Sequence, residues 1–231
     1  MITKDIFLSK IYGLEWHKFD GNVNKQSKQS DLIKAFSNKE IDRIDFSVSV
    51  SNLRMIDFLL GKGCYLSSSK IFFINDKQEE IKNIQSRNVE IASEDNVNEI
   101  AEIAVQDFIY DRYRNDPSLD KKKLHQLYNE WIKNNITKRC KEVLVYAEQG
   151  KIYGFVCIID RKEEYYIELM GVRKEKQGKG IGDVLIKEAL SRFKDKKKIC
   201  VTQISNIPMQ RLLIRNNFKP TSNFLILSKV S

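Results

Sequence analysis

A glycine-rich segment between a strand-like run and a helix-like run constrains the fold of this chain most. Four of its ten glycines fall between Gly171 and Gly182, after the apolar run 166–172 and before an amphipathic run that continues to Phe193. Glycine lets a ligand approach the main chain closely, and helix N-termini attract phosphate because the helix dipole is positive there. The segment therefore predicts a strand, a pyrophosphate-binding loop and a helix, in that order. The alternative is a glycine-rich turn with a solvated basic face.

Two common phosphate-binding motifs do not fit this segment. A P-loop requires a hydroxyl residue directly after its lysine, whereas Lys179 lies between two glycines. A dinucleotide-binding fingerprint has the spacing Gly-x-Gly-x-x-Gly in the first turn of a βαβ unit. Here the spacing is Gly-x-Gly-x-Gly, and three strand-like runs precede the loop. The segment is therefore a different kind of loop.

Hydrophobic periodicity divides the chain into two predicted parts. The polar segment 75–87 has no aromatic residue and predicts a boundary, with a smaller N-terminal α/β domain over 1–86 and a larger domain over 87–231. Three successive strand-like runs in the larger domain predict an antiparallel meander. The predicted helices are 31–36, 52–60, 97–110, 121–134, 181–193 and 207–216. The predicted strands are 43–50, 65–74, 89–92, 143–148, 153–160, 165–172, 199–204 and 224–230.

One short pattern occurs in both predicted domains, each time at a junction of strand, helix and strand. Ser51-Asn52 is followed by Met55, Leu59 and Ser68, and the same residue types recur as Ser205-Asn206, Met209, Leu213 and Ser222. Either the match is chance or the N-terminal domain is a reduced copy of the C-terminal fold.

Composition excludes several classes of protein. With 42% hydrophobic residues, 31% charged residues and three prolines, the chain is globular rather than disordered. No run approaches the roughly 18 apolar residues of a membrane span, and residues 1–10 lack the apolar run of a signal peptide. We therefore expect a cytoplasmic protein without a membrane partner. Reduced thiols and no metal site are predicted, because no C-x-x-C pair or neighbouring histidine accompanies the four cysteines.

The net charge of +9 is concentrated in one part of the chain. Residues 173–198 hold ten Lys or Arg and four acidic residues, a net of +6, whereas residues 1–86 hold 13 basic and 11 acidic residues, a net of +2. Binding of duplex nucleic acid requires a broad basic face. A local anionic ligand fits this distribution better, and nucleic-acid binding through Lys194–Lys198 is the weakest hypothesis.

The glycine-rich segment resembles the acetyl-coenzyme A loop of the GCN5-related N-acetyltransferases, with the pattern Gln/Arg-x-x-Gly-x-Gly/Ala. Here it reads Gln177-Gly-Lys-Gly-Ile-Gly182, and the later Asn206 and Asn217-Phe218 also match the family. The resemblance covers about residues 89–230. It implies an α/β fold of the α+β type, in which helices flank a mixed, mostly antiparallel sheet, and acetyl-coenzyme A as cosubstrate.

The resemblance also implies a set of cofactor-binding residues. Backbone amides of the loop would hold the pyrophosphate of coenzyme A, and the strand before it would bind the pantetheine arm and orient the acetyl carbonyl. The implied cofactor-binding residues are Met170, Gly171, Val172, Gln177, Gly178, Lys179, Gly180, Ile181, Gly182 and Asn206.

A narrower similarity concerns the acceptor. Phe108-x3-Arg112-Tyr113-x2-Asp116-Pro117 and Leu127-Tyr128-x2-Trp131-Ile132 are similar to a branch of the family that acetylates dTDP-linked amino-dideoxy sugars. That similarity implies that Arg112, Tyr113, Asp116 and Trp131 bind substrate. Alternatively, Arg112 pairs with Asp116 across one helical turn, and the aromatic side chains fill the core.

Acetyl transfer to an amine requires a proton acceptor, a site for the oxyanion and a route for the thiolate to leave. Glu168 is our candidate base, acting directly or through water, because strand periodicity would place it on the same side as Val172. Backbone N–H groups near Gly171 and Val172 are the candidates for the oxyanion. The family usually has a tyrosine seven residues after the asparagine that corresponds to Asn206, and this tyrosine protonates the departing thiolate. This chain has Leu213 at that position. Water, Tyr113 or an acceptor group would have to replace it.

The leading hypothesis is an N-acetyltransferase that uses acetyl-coenzyme A and a nucleotide-linked amino sugar, in the synthesis of a surface polysaccharide. Acetylation of another amine, such as a peptide, a lysine or a small molecule, stays open. A non-catalytic acyl-coenzyme A-binding module is the alternative from another class, motivated by Leu213. The sugar, the nucleotide, the acyl preference and the oligomeric state are left open, a homodimer included.

Overall fold

The structure is a computed structural model that describes residues 2–19, 32–33, 36–76 and 86–231. Half of the predicted helix 31–36 (residues 31, 34 and 35) and residues 77–85 of the predicted boundary 75–87 lie outside the described residues. The sheet formed by the described residues has ten strands. They are β1 (Ile2–Lys4), β2 (Trp16–Phe19), β3 (Arg43–Ser49), β4 (Tyr65–Asn75), β5 (Val89–Ile91), β6 (Glu142–Glu148), β7 (Lys151–Arg161), β8 (Glu164–Val172), β9 (Lys197–Gln203) and β10 (Lys219–Val230).

The α-helices lie on both faces of this sheet. They are α1 (Ile6–Tyr12), α2 (Leu53–Gly61), α3 (Val97–Asp107), α4 (Arg112–Asn115), α5 (Leu124–Asn134), α6 (Ile181–Arg192) and α7 (Ile207–Arg215). The predicted helix 97–110 ends at Asp107, because Phe108 leaves the helical conformation with ψ of 59°. Within the described residues, no helix is both long and apolar enough to cross a bilayer.

The strands follow the order β1-β2-β3-β10-β4-β9-β8-β7-β6-β5. Only β2–β3 and β8–β9 pair in parallel among these neighbours, and the other pairs are antiparallel. The mixed, mostly antiparallel sheet and the predicted meander of β6, β7 and β8 are therefore confirmed. Strands from both predicted domains share the sheet, and the division at residue 86 stays a prediction.

The repeated sequence pattern corresponds to two interlaced units, β3-α2-β4 and β9-α7-β10. The central order β3-β10-β4-β9 alternates strands of the two units. Asn52 caps α2 by accepting the Met55 N–H at 3.3 Å, and Asn206 caps α7 by accepting the Met209 N–H at 3.2 Å. Leu59 and Leu213 are both fully buried at the matching positions. The two units thus share their capping, their connection and their buried leucine.

The sheet opens between β8 and β9. Their parallel pairing ends at Ile167 and Cys200, after which β9 continues to Gln203 and β8 to Val172 without pairing with each other. One hydrophobic core packs α1, α3 and α5 on one side, and another packs α6 and α7 on the other side. The opening between the two strands therefore lies between two packed layers.

Candidate active site

A cleft of about 1750 Å³ begins at the N-terminus of α6 and passes through the opening between β8 and β9. It extends to the face of β3, β10 and β4, so both predicted domains contribute to its wall. Such a size is typical of a site for large or paired ligands, because small-molecule pockets are usually about 300–1,000 Å³.

The glycine loop, residues 177–182, forms one end of the cleft. Gly178 and Gly180 have φ values of +76° and +86°, which side chains rarely adopt, and no atom lies within 4 Å of a Cβ built on either residue. Gly180 begins α6 without a side-chain cap, so the first amides of this helix keep no partner inside it. The N–H groups of Gln177 and Lys179 are bonded to carbonyls of the preceding turn. The amides left for a ligand are therefore those at the start of α6, together with the positive end of its dipole.

The predicted cofactor residues line the cleft, with the exception of Lys179, which is exposed on the outside of the loop. Gln177 holds the loop against β8, because its side-chain amide donates to the Val172 carbonyl at 2.9 Å. A Cβ on Gly182 would lie 3.2 Å from the Leu212 side chain, so this glycine also allows α7 to pack closely. Asn206 uses its side-chain oxygen to cap α7.

Basic side chains surround this end of the cleft. Lys176 pairs with Glu148 at 2.5 Å, and Lys187 pairs with Asp183 at 2.5 Å. Arg211 and Arg215 also line the cleft, and neither has a carboxylate partner among the described residues. These two arginines can therefore bind an anion without breaking an ion pair.

Glu168 does not lie on the same side of β8 as Val172, so our prediction from strand periodicity is wrong. The register with β7 shifts between the pairs Ile158–Ile167 and Cys157–Leu169, which leaves Glu168 as the extra residue of a β-bulge. A bulge changes the alternation of side chains. Val172 packs with the α6–α7 core, whereas Glu168 contacts residues of α5 and of the turn after it.

The Glu168 carboxylate is held by two donors in the cleft. Arg139 forms an ion pair with it at 2.6 Å, and the Trp131 indole N–H donates to it at 3.2 Å. Arg139 ends a π-helical turn, Asn135–Arg139, that continues α5, and it also donates to the Asn135 side chain at 3.0 Å. Sequence reasoning missed Arg139, since a π-turn has no recognised sequence pattern. Such turns occur often at functional sites.

The predicted acceptor residues divide into two groups. Arg112, Tyr113 and Trp131 line the cleft, with the rings of Tyr113 and Trp131 5.9 Å apart. Asp116 does not line the cleft: it is 1% exposed and binds Arg43 at 2.6 Å. The prediction that Asp116 binds substrate is therefore wrong, because its carboxylate is already paired with a buried arginine. Tyr128 is fully buried and belongs to the core.

The predicted pairing of Arg112 with Asp116 is also wrong. Arg112 binds Asp45 of β3 at 2.9 Å, and Arg43, also of β3, binds both Asp45 and Asp116. The Trp16 indole N–H donates to Asp45 at 3.0 Å, and the Arg43 guanidinium lies 4.3 Å from the Trp16 ring centroid. This network fixes α4 to the N-terminal half of the sheet.

The network determines the charge state of its carboxyl groups. Burial alone would raise the pKa of Asp45, but the charges of Arg112 and Arg43 hold it below its usual 3.8. Burial likewise opposes ionisation of Asp116, and the hydrogen bond and charge of Arg43 outweigh it and lower the pKa. Both carboxylates are therefore ionised and paired.

Lys70 of β4 lines the cleft and was not singled out from the sequence. Burial lowers its pKa to about 8, and the charges of Arg112 and Lys18 add to the effect. A signal was present, because Ser67-Ser-Ser-Lys70 interrupts an otherwise apolar strand. An unusual pKa in a cleft is a mark of functional sites.

Leu213 is fully buried between α7 and the sheet and does not line the cleft. The residues of α7 that line the cleft are Pro208, Met209, Arg211, Leu212 and Arg215. None of these residues has a hydroxyl group that could protonate a thiolate. The tyrosine of the family is therefore missing at position 213 and is not replaced by another residue of α7 that lines the cleft.

Residues 105–211 match the family model described as the acetyltransferase (GNAT) domain. The match includes the glycine loop, the bulged strand β8 and the start of α7. These residues are therefore similar to a GNAT acetyltransferase domain. The matched part is just under half of the chain, and the remaining N-terminal strands add the far wall of the cleft.

Among curated proteins, the chain is similar to the spore coat polysaccharide biosynthesis protein SpsD of Bacillus subtilis. The two are 27% identical over 128 residues, which make up 54% of this chain and 44% of SpsD. The chain therefore spans less than half the length of that relative.

Solved structures support the fold over nearly the whole chain. A GCN5-related N-acetyltransferase from Sphaerobacter thermophilus has a TM-score of 0.67 at 11% identity and covers 99% of this chain and 75% of its own. A protein of unknown function from Staphylococcus epidermidis has a TM-score of 0.64 at 16% identity, over 94% and 84%. PaiA N-acetyltransferase from Thermoplasma acidophilum, solved with coenzyme A, has a TM-score of 0.51 at 16% identity, over 64% and 100%. At these identities the likeness concerns the fold, which is the GNAT fold.

Proposed function

We propose that this protein transfers the acetyl group of acetyl-coenzyme A to the amine of a nucleotide-linked amino sugar. The single observation that carries the proposal is the glycine loop, where the uncapped start of α6 and the open space at Gly178 and Gly180 lie beside the split strands β8 and β9. Backbone amides at a helix N-terminus suit a pyrophosphate, and the match of residues 105–211 to the acetyltransferase domain supports the same cosubstrate.

Different residues of the cleft would bind the phosphates, the pantetheine arm and the oxyanion. The glycine loop, with Arg211 and Arg215, would bind the phosphates of coenzyme A, which supplies an activated acetyl thioester. The open edge of β8 would bind the pantetheine arm. Arg173 donates its N–H to Tyr153 of β7 at 2.8 Å, so strand alternation points the N–H of Val172 to the opposite, open edge. Val172 is therefore a better oxyanion donor than Gly171.

Glu168 would accept the proton of the acceptor amine, directly or through water. Its side chain is 11% exposed and lines the cleft, beside Trp131 and Arg139. The two donors fix the orientation of the carboxylate, and a fixed base within reach of its proton is the usual requirement for general base catalysis. Departure of the thiolate does not require a strong acid, because thiols have a reference pKa near 8.5.

The acceptor is proposed from the residues on the other side of the cleft. Tyr113 and Trp131 supply two aromatic rings, which are suited to a sugar or base, and Arg112, which is paired with Asp45, lies beside them. The name of SpsD refers to polysaccharide synthesis, and the sequence resembles dTDP-fucosamine acetyltransferase in this region. We propose a dTDP-linked amino-dideoxy sugar as the acceptor and cytoplasmic synthesis of a surface polysaccharide as its setting.

One observation favours a second candidate function. The tyrosine position of the family is occupied by Leu213, which is fully buried, and a chain without a general acid could bind acyl-coenzyme A without transferring the acyl group. A thiol-release assay separates the two candidates. The assay would combine acetyl-coenzyme A with dTDP- and UDP-linked 3-amino and 4-amino sugars, and with peptide amines as a further arm.

Turnover with one nucleotide sugar and none with peptides supports the proposal. Turnover with peptides alone would favour a different acceptor class. Binding of coenzyme A without turnover on any amine would favour the binding module. Gly180→Trp, whose side chain would fill the glycine loop, is the negative control. Thiol release that persists in this variant does not come from this site.

A further inference from the structure

The cleft has a polar floor at its N-terminal end. A sheet face that packs in a core is normally apolar, but here β2, β3, β4 and β9 present charged and polar side chains to the cleft. We call these residues the polar floor; they are Lys18, Asp45, Ser47, Lys70 and Gln203. The opposite face of β3 carries Ile44, Phe46 and Val48 in a hydrophobic core. Asp45 is covered by Arg112 and Trp16, whereas the remaining part of this polar face lines the cleft and can meet solvent or a ligand.

Most of the charges on the polar floor are already paired. Lys18 forms an ion pair with Asp5. Asp45 accepts from Arg43 at 3.1 Å and from Arg112 at 2.9 Å. Gln203 uses its side-chain oxygen to accept from Ser68 at 2.7 Å, which leaves its amide N–H₂ group as a donor.

Lys70 differs from these neighbours. Among the described residues its ammonium has no carboxylate partner and no hydrogen bond, although its side chain is half-buried. Burial and the charges of Arg112 and Lys18 disfavour its protonated form, and the charges of Asp45 and Asp111 offset them only in part. A partly buried ammonium without a partner is costly, so an anion is the group that this position lacks.

We propose that Lys70 binds a phosphate oxyanion of the acceptor, with the amide of Gln203, its cross-strand partner, as a neighbouring donor. Lysine is a common phosphate ligand because it acts as a compact point charge. This inference rests on the proposed function and names the chemical group of the acceptor that the polar floor recognises.

The position of Lys70 relative to Glu168 suits this role. Lys70 pairs across the sheet with Gln203, and Gln203 lies three residues beyond Cys200, where β8 and β9 separate. At roughly 3.3 Å per residue and about 4.8 Å between strands, Lys70 is on the order of 10 Å from the start of that opening. A ligand that reaches both ends would present its phosphate to Lys70 and its amine to Glu168.

The test measures ligand affinity of the full chain by calorimetry, with dTDP, UDP, inorganic pyrophosphate and coenzyme A as separate probes. Lys70→Met removes the charge and keeps the shape, Lys70→Arg keeps the charge, and Lys141→Met is the matched control because Lys141 is exposed and outside the cleft. Thermal unfolding of each variant checks that it is folded.

We expect Lys70→Met to weaken dTDP, UDP and pyrophosphate binding by about tenfold or more, the size of a lost charge-assisted hydrogen bond. Lys70→Arg should retain most of the affinity, and coenzyme A binding should not change in either variant. Equal losses for the three probes would assign Lys70 to the phosphates rather than to the base or the ribose.

Two results would overturn the inference. One is a Lys70→Met variant that is folded and binds dTDP as tightly as the wild type. The other is a wild type that binds coenzyme A and acetylates an amine but has no affinity for any nucleotide or pyrophosphate at this end. The second result would support the proposed acetyl transfer and would contradict the proposal that the acceptor carries a phosphate. A wild type that does not bind coenzyme A, but binds dTDP through Lys70, would instead contradict the proposed transfer and support the inference.

Discussion

Arg139 binds both carboxylate oxygens of Glu168, with Nη2 at 2.6 Å from Oε1 and Nη1 at 3.2 Å from Oε2. The two residues come from different elements, a π-helical turn after α5 and a β-bulge in β8. The bulge is necessary for the contact, since regular alternation would turn Glu168 to the other face of the sheet. The pair therefore gives a carboxylate of fixed orientation in the wall of the cleft.

Replacement of the base should slow the reaction without weakening cosubstrate binding. Glu168→Gln keeps the size of the side chain and removes the proton acceptor, so kcat should fall by roughly 10²–10⁴-fold, the usual contribution of general base catalysis. Steady-state kinetics at several pH values check this. Arg139→Gln is the comparison: it loosens Glu168 but keeps the base, so we expect a smaller fall in kcat. A Glu168→Gln enzyme with wild-type kcat would show that water alone takes the proton.

A methyl group in the glycine loop should weaken cosubstrate binding at a modest cost in stability. Gly180→Ala places Cβ at a φ of +86°, and Gly150→Ala does the same at +78° in the turn between β6 and β7, outside the cleft. Each should lose about 1–2 kcal/mol of unfolding free energy, because non-glycine residues are strained in this conformation. Only Gly180→Ala should weaken coenzyme A binding, as measured by calorimetry. Equal binding by both variants would remove the loop from the site.

Asp116 should govern stability rather than substrate affinity. Asp116→Asn leaves the 1%-exposed Arg43 without one of its carboxylate partners, and breaking a buried ion pair costs about 3–5 kcal/mol. We expect a lower urea midpoint and, at a temperature where the variant is folded, an unchanged KM for the acceptor. A variant of wild-type stability with a raised KM would restore the original prediction that Asp116 binds substrate.

The same network makes the fold sensitive to acid. The pKa of Asp116 and that of Asp45 are lowered in the folded protein, so their contribution to stability is fully present above the usual pKa near 3.8. It is lost as the pH falls through the lower, folded pKa values, where both carboxylates take up protons. Urea unfolding between pH 3 and pH 7 measures this slope. Asp116→Asn should flatten it, whereas a slope equal to that of the wild type would place the acid sensitivity elsewhere.

A tyrosine introduced at Leu213 should not restore a general acid. Leu213 is fully buried in the α6–α7 core, and an oversized side chain in a packed core costs about 1–3 kcal/mol. We expect Leu213→Tyr to lower the melting temperature without raising kcat. A rise in kcat would mean that α7 presents position 213 to the cleft during turnover.

The regular elements were predictable because their signals are local. The spacing of Ile100, Ile103 and Ala104 predicts helix α3. The glycine loop is predicted between a strand and a helix, which are β8 and α6 in the structure. The repeated Asn-x-x-Met pattern also corresponded to two equivalent helix caps, at Asn52 and Asn206. Each of these features depends on residues within one helix turn or one strand.

The errors concern contacts between distant segments. Arg112 and Asp116 are four residues apart, which favours a pair along a helix, but α4 is only four residues long and packs on β3, where Asp45 and Arg43 bind them instead. The orientation of Glu168 depends on a bulge, which adds one residue without a sequence mark. Lys70 enters the cleft because β4 lies between β10 and β9, an order that the sequence alone does not specify.

The central claim is direct transfer of an acetyl group from acetyl-coenzyme A to an amine on a nucleotide sugar. The most direct measurement is mass spectrometry of the product after incubation with isotopically labelled acetyl-coenzyme A and the dTDP- and UDP-linked amino sugars. The account predicts one labelled N-acetyl group on a nucleotide sugar, in equal amount to the released thiol, and none with Gly180→Trp. Tight binding of coenzyme A with no label on any sugar or peptide amine would contradict it.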